Sequence, residues 1–444
     1  MSASRGAFLL LALLLAGGCA REPERADEPV EQTAANVSTP ASPLATHFTM
    51  NTPNAPWQAP HPRGVRWNVY DPDPQHLWNR MFRRFLGRVS ADGTEYGWDS
   101  LDPLLWYETT YLLEETSHSQ AVHLLDEFLS SRGELLITDP VRRALLQRDL
   151  WAVFDWSALR SDTFPEERQA LQRRLAKVIR RLGLPRQEIL SLPDNLKVAV
   201  DSMGFPADFQ TDDPEHPFLP ADLLATDSGW LLLGRDGGPL AMSHTESFPF
   251  FGRSVFLVYL KTPGGREATE ALLNRLNGER DSRSLAAVDL TGVEVALVRR
   301  AVLIDDRGEM VLSPLVESVQ VRYYGPVQLF YEFDLDRAAL LDDGSGGLRP
   351  AEEEFMRFFS HGWDVFEPGT ESPMVAVLHT CRACHGSPAY GLQSILSYSR
   401  FRFDLQGGEE PVLLPTTIER EAESVIEWKL GDSTWLMLDS YMAP

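Results

Sequence analysis

The spacing of hydrophobic positions changes along this chain, and the changes divide it. From about Trp67 to Val200 apolar residues recur at a helical interval. In "TFPEERQALQRRLAKVIRRLGL", Leu171, Leu175, Val178, Ile179 and Leu182 fall on the 3.6-residue period, which predicts a helix with one buried face. Thr163 and Glu166 are spaced as a capping box, and Gly183 marks the end. Its other face carries Arg173, Arg174, Lys177, Arg180 and Arg181, able to dock an acidic neighbour or to pair within the chain. "TDPVRRALLQRDLWAVFDWSAL" opens with Thr138 or Asp139 as cap and Pro140 in the first helical position. "SQAVHLLDEFLSSRG" predicts a further amphipathic helix, closed by Gly133.

From about Gly229 the period shortens. "WLLLG", "SVFLVYL", "VEVALVRRAVLI", "EMVLSPLVESVQVRYYG" and "VQLFYEFDL" are rich in β-branched and aromatic residues and bounded by Gly, Asp or Pro, so they predict strands. One helix, Gly265 to Gly278, interrupts them. Beyond "LDDGSGG", expected as a linker, Pro350 is expected to start a helix running through "FFSHGW". Near the end, Thr416 and Glu419 are spaced as a capping box, with a break at Gly431 and Asp432. The expected class is α+β: a helical region over 61–225, an antiparallel-sheet region over 226–345, and a mainly helical segment over 346–444.

The first sixty residues follow neither pattern. One positive charge, Arg5, precedes an apolar run from Ala7 to Ala16. At about ten residues that run has the length of a signal-peptide core and is half of what a membrane-spanning helix needs. "LAGGC" then ends on Cys19. This stretch resembles the lipobox of bacterial lipoproteins, with Ala16 where leucine is usual and Leu15 one place off. The resemblance implies cleavage after residue 18 and a diacylglycerol on Cys19; an ordinary signal peptide with an incidental cysteine is the alternative. By the same resemblance, Ala20 in place of an aspartate implies the outer membrane of a Gram-negative bacterium, facing the periplasm. Residues 19–60, rich in Pro, Ala, Glu, Ser and Thr, suit a disordered tether.

Charge narrows the partners. The chain carries −23 at neutral pH, and loss of the leader would remove only Arg5. Such a balance argues against nucleic acid and against any membrane contact beyond the lipid. A hydrophobic content of 43% is enough for real cores, and no phosphate-cradling glycine loop or nucleophile elbow interrupts them.

The chemistry gathers in "VLHTCRACHGSPAY". Cys381 and Cys384 are the only cysteines besides Cys19, and His385 follows directly. Three residues apart on a helical turn, the two thiols lie on one side. "CRACH" resembles the haem-attachment motif of c-type cytochromes, over the motif and little around it. That resemblance implies one covalent haem c, with thioethers to Cys381 and Cys384 and His385 on the iron. Export agrees, because c-type haem is attached outside the cytoplasm. Zinc would need further ligands elsewhere, a redox dithiol lacks its βαβ setting, and a structural disulfide would close a very small loop. The opposite axial position has three candidates. His244 lies in a predicted loop beside an aromatic cluster, Met437 on the apolar side of the terminal helix, and His361 at the end of a predicted helix. His379 is too near in sequence to reach the far side of the ring. Small cytochromes of this type place a methionine before a closing helix, and no helix can follow Met437 or Met442. The expected function is electron transfer through the haem to a redox partner that the sequence does not name. The alternatives are a haem oxidoreductase with a substrate site in the upstream regions, and a non-haem lipoprotein with a structural or binding role.

Overall fold

A computed structural model describes residues 66–443 except 90–94, 98–109, 159–162, 210–216, 226, 247–249, 279–288, 326–327, 343, 352–359, 364–370 and 375–411. Its helices are α1 (Leu77–Leu86), α2 (Glu115–Ser131), α3 (Pro140–Ala158), α4 (Pro165–Leu182), α5 (Arg186–Leu190), α6 (Asn195–Met203), α7 (Met242–Thr245), α8 (Arg266–Gly278), α9 (Arg337–Asp342), α10 (Ile418–Leu430) and α11 (Ser433–Met442). The strands are β1 (Gly87–Val89), β2 (Glu95–Gly97), β3 (Leu231–Arg235), β4 (Ser254–Lys261), β5 (Val293–Ile304), β6 (Met310–Tyr324), β7 (Gln328–Leu335), β8 (Leu348–Pro350), β9 (Ser360–Trp363), β10 (Glu371–Met374) and β11 (Leu413–Pro415).

Seven strands form one antiparallel sheet in the order β11-β3-β4-β5-β6-β7-β8. The architecture is α+β, with helices on both faces of that sheet. The two-residue alternation of each strand decides which face a side chain serves. Leu232, Val255, Leu257, Ala296 and Val298 join the core shared with α1–α4 and with α10 and α11. Leu231, Leu233, Leu260, Val293 and Val295 face the other way, onto Leu272, Leu273 and Leu276 of α8. The end of the long β5–β6 pair closes on α5 through Leu303, Val311 and Ile189.

Helix α3 sits at the centre, and nearly every side chain from Ala144 to Ser157 is buried. That explains why "LLQRDLWAVFDW" carries no clean polar stripe. Asp139 caps it, accepting from the Arg142 backbone N–H at 2.8 Å. Helix α4 departs from its predicted cap. Phe164 takes the cap position with a left-handed backbone, and the Thr163 hydroxyl accepts from Arg168 at 3.3 Å instead. Gly183 does follow the end of α4, and its lack of a side chain lets the chain pass Asp305, whose carbonyl oxygen a β-carbon there would meet at 2.7 Å. In α2 the left-handed cap is Arg132, and Gly133 starts a short 3-10 turn. The α10 cap is Thr417, one place beyond Thr416, accepting from the Arg420 N–H.

Pro314 lies inside β6, where a proline withdraws a ladder donor. The register with β5 shifts around Arg300 and Val302 at this point, and Ser313 bridges the bulge by donating to the Ala301 carbonyl at 2.8 Å. Pro350 corrects the sequence reading. It ends strand β8 opposite Phe333 rather than starting a helix. An edge strand tolerates it because the outward position needs no N–H.

Candidate functional site

The seven-stranded sheet fixes where the cysteine motif enters the fold. Strand β8 forms one edge and β11 the other. The chain from residue 351 to residue 412 therefore connects opposite edges, six interstrand steps or about 29 Å apart. Within that connection β9 and β10 pair as a separate antiparallel hairpin. His361 lies in β9 with Pro373 opposite, so it stands on a strand and not at a helix end. Cys381, Cys384 and His385 belong to the same connection and lie outside the described residues, as does Cys19.

His244 is the distal candidate whose surroundings are most built. It sits on the four-residue helix α7, not in a loop, because Thr245 and Glu246 close their backbone bonds onto Ala241 and Met242. Its imidazole stacks on Phe256 with centroids 5.0 Å apart and planes at 26°, and Phe250 meets Phe256 edge-on at 4.9 Å. The Arg299 guanidinium lies 5.0 Å from the Phe250 ring centre. The turn carrying Phe250 is held tightly. Phe251 and Gly252 both have positive φ, and a β-carbon on Gly252 would strike the Trp428 ring at 2.9 Å. Glycine lets this turn lie directly on α10.

Behind the aromatic cluster are two buried ionic groups that tie the sheet to α3 and α10. In the first, Glu317 of β6 receives Arg148 of α3 at 3.0 Å, Arg299 of β5 at 3.4 Å and the Ser254 hydroxyl. In the second, Asp155 of α3 pairs with Arg253 and, at 3.3 Å, with Lys429 of α10. Lys429 also reaches Asp432 at 3.1 Å and Thr434 at 2.8 Å. Truncating the shared carboxylate of such a group leaves buried cations short of their counter-charge, which costs several kcal/mol. Their chemistry is positional, since they fix the β4–β5–β6 surface on which His244 and Phe250 sit. Sequence reasoning passed over these residues. Their signal was charge inside otherwise apolar runs, as in "FFGRSVF" and "LVESVQV".

Met437 is half-buried and packs against the main core beside buried Trp435 and Leu438. The basic face of α4 is largely used by the chain itself. Arg174 pairs with Asp126 at 2.8 Å, Arg180 donates to the Asp305 carbonyl, Arg181 donates to the Leu129 carbonyl, and Arg173 lies over Tyr441. Among the described residues no three His, Cys, Asp or Glu side chains are grouped to hold a metal ion, and no helix is long and apolar enough to cross a membrane. No protein-family model, curated protein or solved structure matches the chain.

Proposed function

We propose that this chain is a lipid-anchored, periplasm-facing electron-transfer protein with one covalent haem c. The observation that carries the reading is "CRACH" itself: the only two cysteines besides Cys19, at haem-attachment spacing, behind an export leader. The donor set fits the group, with two thiols for thioethers and an adjacent imidazole for the iron. Bound there, haem would supply an iron that changes oxidation state by one electron. Cys381 and Cys384 would hold it at its edge, and His385 would be its proximal ligand. His244 would be the first candidate for the second iron ligand, because its ring is already oriented by Phe256 and Phe250. Met437 ranks second, since its packing serves the core, and His361 third. The placement of the motif supports the reading as well. A connection between two sheet edges can take an insertion without interrupting the strands on either side.

The test is an absorption spectrum of full-length protein expressed with haem-maturation machinery. A Soret band that survives acid–acetone extraction is expected, and its loss in Cys381→Ala/Cys384→Ala. A chain that never acquires the band, or releases it on extraction, overturns the proposal. His244 is tested on the same sample. With His244 on the iron, carbon monoxide leaves the reduced spectrum unchanged, and His244→Ala makes it responsive. Carbon monoxide binding to the unmodified protein rules His244 out as distal ligand while leaving the haem assignment intact.

A further inference from the structure

Helices α1 and α2 run antiparallel and enclose an open cleft of about 990 Å³ whose walls include Trp67, Arg83, Arg84, Tyr111, His123 and Leu124. Arg80, Arg83 and Arg84 stand three and four residues apart, so they share one face of α1. Their partners differ. Arg80 is neutralised by a two-pronged bond to Glu127, at 2.8 and 2.9 Å. Arg84 is held by neutral oxygens, those of Tyr111, Ser117 and Gln120. Arg83 lies over the Trp67 ring, 5.6 Å from its centre. Among the described residues neither Arg83 nor Arg84 has a carboxylate within ion-pair distance. Among the described residues that line the cleft, Glu115 is the one acid. Its described lining is thus net cationic on a chain of net charge −23, and the apolar wall beside the arginines strengthens their field. Gly87 lets the Trp67 ring lie close, since a β-carbon there would overlap that ring at 2.5 Å.

We propose that this cleft binds an amphipathic organic anion, with a carboxylate or phosphate head on Arg83 and Arg84 and an apolar body against Trp67 and Leu124. Guanidinium groups suit an oxyanion because they present several N–H donors in one plane, and Arg84 is already held in place by its neutral partners. The aromatic and aliphatic walls select for a ligand with a hydrophobic part over a bare ion. This site is independent of the haem assignment, and it gives the upstream body a ligand of its own.

The test is calorimetric titration of the full-length protein with 2-naphthoate and 1-naphthyl phosphate, beside neutral 2-naphthol and inorganic phosphate. At least one naphthyl anion should bind saturably at one site, and the tighter of the two names the head group. Both controls should bind about tenfold more weakly or worse. Arg83→Gln and Arg84→Gln should each weaken the anion about tenfold, the scale of one charge-assisted hydrogen bond. Arg83 is exposed and its guanidinium lies over the Trp67 ring, so its variant is expected to keep the fold, which far-UV circular dichroism checks. Equal binding of naphthol, or affinity unchanged in both variants, overturns the proposal. Absence of binding overturns it too.

Discussion

Asp149 lies fully buried on α3, 2.7 Å from the Arg337 guanidinium and 3.3 Å from the Tyr70 hydroxyl. Burial outweighs the attraction of Arg337 and pushes its carboxyl from 3.8 up to about 7. Between those values the folded chain keeps a proton that the unfolded chain has released. The stability this adds is full below about pH 4 and is lost as pH rises to about 7. Glu294, raised by burial to about 7 despite Lys261, acts in the same direction. Asp149→Asn cannot titrate, so its stability should decline less between pH 5 and 8, by roughly 3 kcal/mol. Urea melts across that range measure the slope, and equal slopes for the two proteins would refute the assignment. None of this was legible from spacing, which shows Asp149 as one acid in a helix. The consequence depends on the helix being surrounded, and that is a tertiary fact.

The elements themselves were more readable than their ends. All five predicted strands appear, because β-branched runs between turn residues have few other uses. Helices α2, α3, α4, α8 and α10 also lie where periodicity puts them. Caps depend on single hydrogen bonds and shift by one residue, as Thr416 to Thr417 shows. Pro350 was misread because a proline before a polar stretch suits a helix start and an edge strand equally well. Helix α11 gives the clearest energetic test. Leu438 is fully buried where α11 packs on α3 and α4, and Trp435 meets Trp151 of α3 with ring centres 5.7 Å apart. Leu438→Ala should cost about 2–5 kcal/mol. Tryptophan fluorescence and circular dichroism should still fall in one shared transition. A fluorescence change that precedes the loss of helix would mean that α11 frays on its own.

At the scale of the molecule, the sequence suggested three successive regions, and the structure shows how their elements interleave. Residues after 346 supply β8 and β11, the two edges of the sheet, and α10 and α11, which close its helical face. Strand order is invisible to local periodicity, because it is set by long-range pairing. The motif-bearing connection between those edges should therefore be replaceable. A Gly/Ser linker of about 30 residues has a typical end-to-end distance near the required 29 Å. Exchanging residues 352–411 for it should preserve the circular dichroism spectrum and shift Tm by only a few degrees, while abolishing haem attachment. Collapse of the fold would show that the connection belongs to the core.

The central claim is the covalent bond between haem and the two thiols of "CRACH". It is tested most directly by the intact mass of the purified chain after acid–acetone extraction. The predicted mass is that of the lipidated protein plus one haem, returning to the protein alone in Cys381→Ala/Cys384→Ala. Bare protein mass in the unmodified chain, after expression with working haem-maturation machinery, would contradict it.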